Sequence, residues 1–246
     1  MKCILSVFII VSSVITANGQ SSSMFDIEYQ VRFNDAFDRG RRDRMHNGHL
    51  LINESLSRFY MTAVEKYTAA NEYDHGFEPD TNILVYTDQS RGYMLAREYG
   101  FDGKPFFLSD SLYPMQWNIT DETRMIDTLK CTMATCRFRG RNYIAWFCAD
   151  IPLPYGPWKM GGLPGLIIEL IDDHDNMRMN LTSISRTDKQ FVIPADVTYT
   201  MEEHIRKMKD LLKKLQGNAR TAGSGDCLSC QTESKYEFFT WEIIPR

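Results

Sequence analysis

The stretch Gly162-Leu163-Pro164-Gly165-Leu166-Ile167-Ile168-Glu169-Leu170-Ile171 decides how this chain folds. Pro164 holds the φ that the second position of a type II turn requires, and Gly165 can take the positive φ of the third. Leu166 to Ile171 is apolar on both faces apart from Glu169, the pattern of a central strand covered from both sides. A tight corner thus launches a strand into the middle of a sheet. Just upstream, Ile151 to Gly165 holds Pro152, Pro154, Pro157 and Pro164 with Gly156, Gly161 and Gly162, so it cannot add a regular strand. It reads as a stiff, irregular loop carrying Tyr155, Trp158 and Met160. Two readings of that loop compete. Its side chains, with Leu163 and Pro164, either fold back to plug the end of the sheet, which is favoured, or form the lip of a binding site, because rigid aromatic loops recognise partners at low entropic cost.

Outward from this stretch the chain is mostly strand. Phe25, Ile27, Tyr29, Val31 and Phe33 alternate with Asp26, Glu28, Gln30 and Arg32, as in a half-buried antiparallel strand. Asp35 to His49 is charged and ends at Asn47-Gly48, a hairpin signal. Its Arg39, Arg41, Arg42 and Arg44 could grip an anion, but the interleaved Asp38 and Asp43 favour a solvated loop. Leu50 to Asn53, Ser57 to Tyr67, Ile83 to Tyr86, Tyr93 to Tyr99, Phe106 to Leu108 and Pro114 to Ile119 are strand-like, with a turn-rich gap from Asn71 to Thr81. Ile126 to Phe138 and Tyr143 to Ala149 form a hairpin candidate about Arg139-Gly140. Asp172 to Asn176 is a polar turn before a return strand from Met177 to Ser185.

One segment is helical. Met201, Ile205, Met208, Leu211, Leu212 and Leu215 recur at three- and four-residue steps, with Glu202, Arg206, Lys209, Lys213 and Lys214 facing outward. Thr200 and Glu203 make a capping box, and Gly217 is placed to end the helix. Acids mixed into the basic face favour docking on the sheet over lying on a membrane. Gly217 to Gly225 is linker-like, and Tyr236 to Ile244 reads as a final strand. The expected fold is therefore mainly β: a curved antiparallel sheet, half-barrel or sandwich, with one docked amphipathic α-helix near the C-terminus.

The N-terminus has the order of a cleavable secretory signal: Lys2, an apolar run from Ile4 to Ile15, then Ala17-Asn18-Gly19, with cleavage expected after Gly19. The run is short of the ~20 residues that span a membrane, and no later segment replaces it. Residues 1–19 are thus expected to be a signal and 20–246 a single β-rich domain, periplasmic or secreted. The formal net charge is −4 at pH 7, one unit more negative once Lys2 is removed, which gives no general attraction for nucleic acid. Of six cysteines, Cys131, Cys136, Cys148, Cys227 and Cys230 lie beyond the signal. In an exported chain disulfides are the default. With a two-residue loop at Arg139-Gly140, Cys131 falls opposite Cys148 at a non-hydrogen-bonded position, where a bridge can close.

From Trp117 to Ile171 the chain resembles the GLPGLI family, exported bacterial proteins named after the hexapeptide Gly162 to Ile167. The resemblance extends to Trp117, Cys131, Ala134, Gly140-Arg141, Ala145-Trp146-Phe147, Asp150-Ile151-Pro152 and Gly156-Pro157-Trp158-Lys159, in order and approximate spacing. Ile27-Tyr29 and Ser57-Arg58-Phe59-Tyr60 fit its weaker N-terminal pattern. It implies a cell-envelope protein and supplies no reaction.

The signatures of common hydrolases, metalloproteases and nucleotide-binding proteins are absent. His46, His49, His75, His174 and His204 are scattered, and Asp172-Asp173-His174-Asp175-Asn176 lacks the glycine and distal glutamate of a calcium loop, so neither metal nor cofactor is expected. Cys227-Leu228-Ser229-Cys230 is the one chemically suggestive motif. It lacks the helix N-terminus that lowers a redox thiol's pKa, and a structural disulfide is favoured over a redox or metal site. The leading function is a non-catalytic binding or accessory protein for an outer-membrane or secreted protein partner. The alternatives are a carrier of a lipophilic ligand in a β half-barrel and a thiol oxidoreductase using Cys227 and Cys230.

Overall fold

Strands bury an apolar face only by pairing and then covering that face. In the computed structural model, which describes residues 24–33, 44–63, 83–99, 104–113, 115–195, 197 and 199–221, they do so as one long, open, curved sheet of twelve strands. The strands are β1 (Met24–Phe33), β2 (Arg44–Asn53), β3 (Leu56–Ala63), β4 (Leu84–Asp88), β5 (Tyr93–Tyr99), β6 (Pro105–Ser111), β7 (Asn118–Ile126), β8 (Leu129–Phe138), β9 (Arg141–Cys148), β10 (Leu166–Asp172), β11 (Met177–Thr187) and β12 (Tyr199–Thr200). A helix, α1 (Met201–Thr221), follows. The spatial order is β12-β6-β5-β4-β3-β2-β1-β11-β10-β9-β8-β7. Two up-and-down runs, β1 to β6 and β7 to β11, are thus joined along the antiparallel β1–β11 pair. Among the described strands, only β12 against β6 is parallel.

The mainly-β architecture with one helix is the expected one, and so is the central hairpin. Arg139 and Gly140 both take positive φ (49° and 84°), the conformation of a two-residue type I′ turn, and Phe138 pairs with Arg141 out to Thr132 with Phe147. Four local expectations are corrected. Asn47-Gly48 is no turn but lies inside β2, opposite Thr62 and Met61. Gly48 is there because a Cβ would stand 2.9 Å from the Phe59 ring and 3.1 Å from Val31. Residues 115–117 are irregular, and the strand expected from Pro114 begins only at Asn118. Asp26, expected on the solvated face of β1, is buried and ion-paired to Lys189 at 2.7 Å. Gly217 does not end α1, which runs on to Thr221.

The two faces of the sheet are covered differently. One carries the main core, with Tyr29, Val31, Phe59 and Val85 on one limb and Ala134, Ala145, Phe147, Leu170 and Met179 on the other. Residues 149–165 pack against this face, as do Tyr113, Met115 and Trp117 from the link between β6 and β7. Arg139 in the β8–β9 turn is ion-paired to Asp110 of β6, which ties the two limbs of the curved sheet together. On the outer face a smaller core of Leu51, Tyr86 and Leu95 is covered by Phe191, with Ile193 packed against it, from the segment that follows β11.

The helix is capped as expected. The Thr200 N–H donates to Glu203 Oε2 at 2.9 Å and the Glu203 N–H donates to Thr200 Oγ1 at 3.2 Å. It docks near β6 and β12 through Met208, buried, and through His204 against Phe106 at 5.3 Å, while Glu202, Arg206, Lys209, Lys213 and Lys214 are exposed. Thr200→Ala is expected to cost the helix about 1 kcal/mol. Circular dichroism at 222 nm should then show helix melting ahead of the sheet, and an unchanged melt would contradict the cap.

Candidate functional site

The loop singled out by sequence, residues 151–165, is anchored along its path by hydrogen bonds. Its prolines cannot donate to a ladder, so its remaining amides bond locally: Gly162 N–H to Pro154 O at 3.0 Å and Met160 N–H to Pro157 O at 3.2 Å. The first residues of β10 close on the loop, Leu166 N–H to Ile151 O at 3.0 Å and Ile167 N–H to Tyr155 O at 3.1 Å. Side chains from elsewhere in the sheet complete the frame. The Trp117 indole donates to Gly161 O at 2.9 Å, Tyr155 OH to Glu54 O at 3.0 Å, and Tyr29 OH to Ile167 O at 2.8 Å.

Four of the five residues proposed as a lip lie inside. Tyr155, Trp158, Met160 and Leu163 are 1–5 % exposed and belong to the main core; Pro164 alone faces solvent. Their side chains therefore take the plug arrangement. Trp158 sits with φ of 58° and packs against Tyr143 at 6.3 Å between ring centres. Its neighbour Lys159 is 3 % exposed, a rare state for lysine, with its ammonium 5.5 Å from the Trp158 ring centre and 3.1 Å from Glu98 Oε1 at the end of β5. The turn chemistry is also corrected. Gly162, not Gly165, has positive φ (82°), so the corner is not the expected type II turn with Gly165 third. Gly165 is needed for a different reason: a Cβ there would stand 2.2 Å from the Cys148 carbonyl oxygen.

A polar lattice that sequence reasoning did not assemble lies across the outer face of β7, β10, β11 and β1. Glu169 is ion-paired to Arg124 and to Arg178 (2.6 Å), Arg178 continues to Asp175 (3.0 Å), and Asp175 meets Arg32. Arg124 lies over the Trp146 ring at 4.0 Å. The Arg32 and Arg178 guanidiniums hold the Asp175 carboxyl below the usual carboxylate range. The lone acid in an apolar strand, Glu169, was the available signal; its partners are distant in sequence. Asp172 serves the hairpin turn, accepting from Met177 N–H at 2.9 Å and from Asn176 at 3.3 Å, as expected of a polar turn.

Cys131 and Cys148 flank the last pair of the β8–β9 ladder, in the register expected, yet Cys131, Cys136 and Cys148 are all free and buried. The expected Cys131–Cys148 bridge is not formed; the Cys131 thiol is turned to the Leu129 carbonyl of its own strand, at 3.7 Å. Burial pushes Cys131 up to about 11 and Cys136 up to about 12. Both stay protonated at pH 8, so a maleimide should label them only after denaturation; rapid labelling of the native chain would contradict their burial. Cys227, Cys230, the signal segment and the Tyr236–Ile244 strand lie outside the described residues.

Residues 139–169 match a family model described as "Protein of unknown function (Porph_ging)". The match spans β9, the plug and the corner into β10. No curated protein matches. The fold is similar to PNGF-II in two crystal forms, both at 14% identity, with TM-scores of 0.50 and 0.49 over 69% and 72% of this chain. Those regions are 29% and 31% of PNGF-II, so this chain spans about a third of that protein's length, and the likeness is one of fold. Among the described residues, no helix is long and apolar enough to cross a membrane and no three metal-ligating side chains gather.

Proposed function

We propose that this chain is an exported cell-envelope protein of the GLPGLI type that binds a macromolecule, as an accessory to an outer-membrane or secreted protein. One observation favours this reading over a carrier of lipophilic ligands. The face of the sheet that a half-barrel would offer a ligand is packed with the chain's own Tyr155, Trp158, Met160 and Leu163. Recognition then falls to the outer face and rim, which suit a macromolecular surface better than an enclosed small molecule. The signal-like N-terminus and the motif from Trp117 to Ile171 support the envelope assignment. A tagged full-length chain crosslinked in envelope preparations should recover one stoichiometric membrane or secreted protein. Extracted lipid in native mass spectrometry without such a protein would favour the carrier, and thiol exchange lost in Cys227→Ser would favour the oxidoreductase.

A further inference from the structure

Arginine keeps its charge at every relevant pH, so a guanidinium withdrawn from water must find an acceptor. Two do not. Arg58 Nε on β3 and both Nε and Nη2 of Arg97 on β5 are buried, and none has a hydrogen-bond partner. The pairing places both side chains on the outer face. Arg58 pairs with Tyr86, Tyr86 pairs with Leu95, and Arg97 lies two residues beyond Leu95. Tyr86 and Leu95 are the smaller core beneath Phe191. Each guanidinium is stacked over the ring two residues on in its own strand, Arg58 over Tyr60 at 4.5 Å and Arg97 over Tyr99 at 5.7 Å.

Nearby acids are engaged elsewhere. Asp88 is held by Ser90 and Arg91, Glu98 by Lys159, and Asp26 by Lys189 through Oδ2, its buried Oδ1 having no hydrogen bond. Neither Arg58 nor Arg97 has an ion pair among the described residues. β3 and β5 run in the same direction on either side of β4, so the two heads lean the same way and stay about 12 Å apart, two strand spacings across and two residues along. That is too far for one oxyanion to touch both.

We infer that Arg58 and Arg97, on the outer face beside the Phe191 cover, form an anion-binding site in which each takes one oxyanion, carboxylate or phosphate, of a ligand carrying at least two such groups. Both residues are half-buried, so the donors open to a ligand are the guanidinium nitrogens outside that buried set; they are planar and fixed by the aromatic stacks, the geometry that favours carboxylate and phosphate oxygens over halide. The site does not depend on the macromolecular partner proposed above, because it is tested on the isolated chain.

The test titrates full-length protein with sodium tripolyphosphate and, separately, with citrate, against sodium chloride at matched ionic strength, by calorimetry and thermal melting. Saturable binding of either, with a rise in Tm of about 5 °C or more at saturation, supports the site. Tripolyphosphate alone would identify phosphate as the natural chemistry, and citrate alone carboxylate. Arg58→Gln and Arg97→Gln should each weaken binding more than tenfold, whereas Arg91→Gln, at an exposed arginine, should not. If the glutamine variants fail to fold, Arg58→Lys and Arg97→Lys retain charge and stem but lose the planar guanidinium fork. Absence of saturable binding of both probes to the wild type, or binding undiminished in folded Arg58 and Arg97 variants, overturns the inference.

Discussion

Replacing Trp158 with alanine is expected to cost about 3–5 kcal/mol of stability, the range for deleting a buried indole. In a domain of this size that lowers Tm by roughly 10 °C. The indole is 5 % exposed, packs on Tyr143 at 6.3 Å and has the Lys159 ammonium 5.5 Å from its ring centre. The cavity would not collapse easily, because prolines and hydrogen bonds on both sides fix the loop's path. Lys159 would also lose the ring beside its charge in an already buried site. Thermal and urea melts check this. Unchanged stability would mean that Trp158 is not a core residue and would return it to the role of a contact for a partner.

The second large effect is expected at Gly165. A β-carbon there would meet the Cys148 carbonyl oxygen at 2.2 Å, its carbon at 2.7 Å and the Ala149 Cα at 2.9 Å. All three are backbone atoms, so no rotamer change relieves the clash; the start of β10 and the end of β9 must move apart. We expect Gly165→Ala to cost about 3 kcal/mol or more, beyond ordinary overpacking, and to reduce soluble yield. Gly162→Ala provides the contrast. That glycine has positive φ, and the nearest atoms an added methyl would meet belong to the Tyr113 side chain, from 3.3 Å. Its cost should be about 1 kcal/mol, from backbone strain. Equal urea midpoints for the two variants would show that the close approach at Gly165 is not what requires glycine.

Legibility in the sequence followed the range of the interaction. Period-two alternation in β1, the apolar run of β10 and the three- and four-residue spacing of α1 are local patterns, and each element formed where its pattern lay. The Thr200–Glu203 cap and the Arg139-Gly140 turn were likewise readable, since their partners are adjacent. Two glycines misled for one reason. Gly48 and Gly165 read as turn residues because turns are the usual demand for glycine, whereas each makes room for a neighbour distant in sequence, Phe59 and Cys148. No local signal distinguishes these cases. The ion-pair lattice is hidden in the same way: Arg124 meets Glu169, and Arg32 meets Asp175, only once strands far apart in sequence have paired. The register that sets Cys131 opposite Cys148 was derivable by counting, but the rotamer that turns one thiol away was not.

The join between β1 and β11 has a kinetic meaning. Met24 pairs with Thr187 and Phe33 with Met177, so one long edge of β1 has no neighbour until residues 177–187 have been made. The six-strand meander β1 to β6 could assemble early but would present that edge to other chains, a template for aggregation. Pairings so remote in sequence also make for slow folding. A chain held open by its own topology during synthesis stays available to a chaperone, and locks only when the return strand arrives.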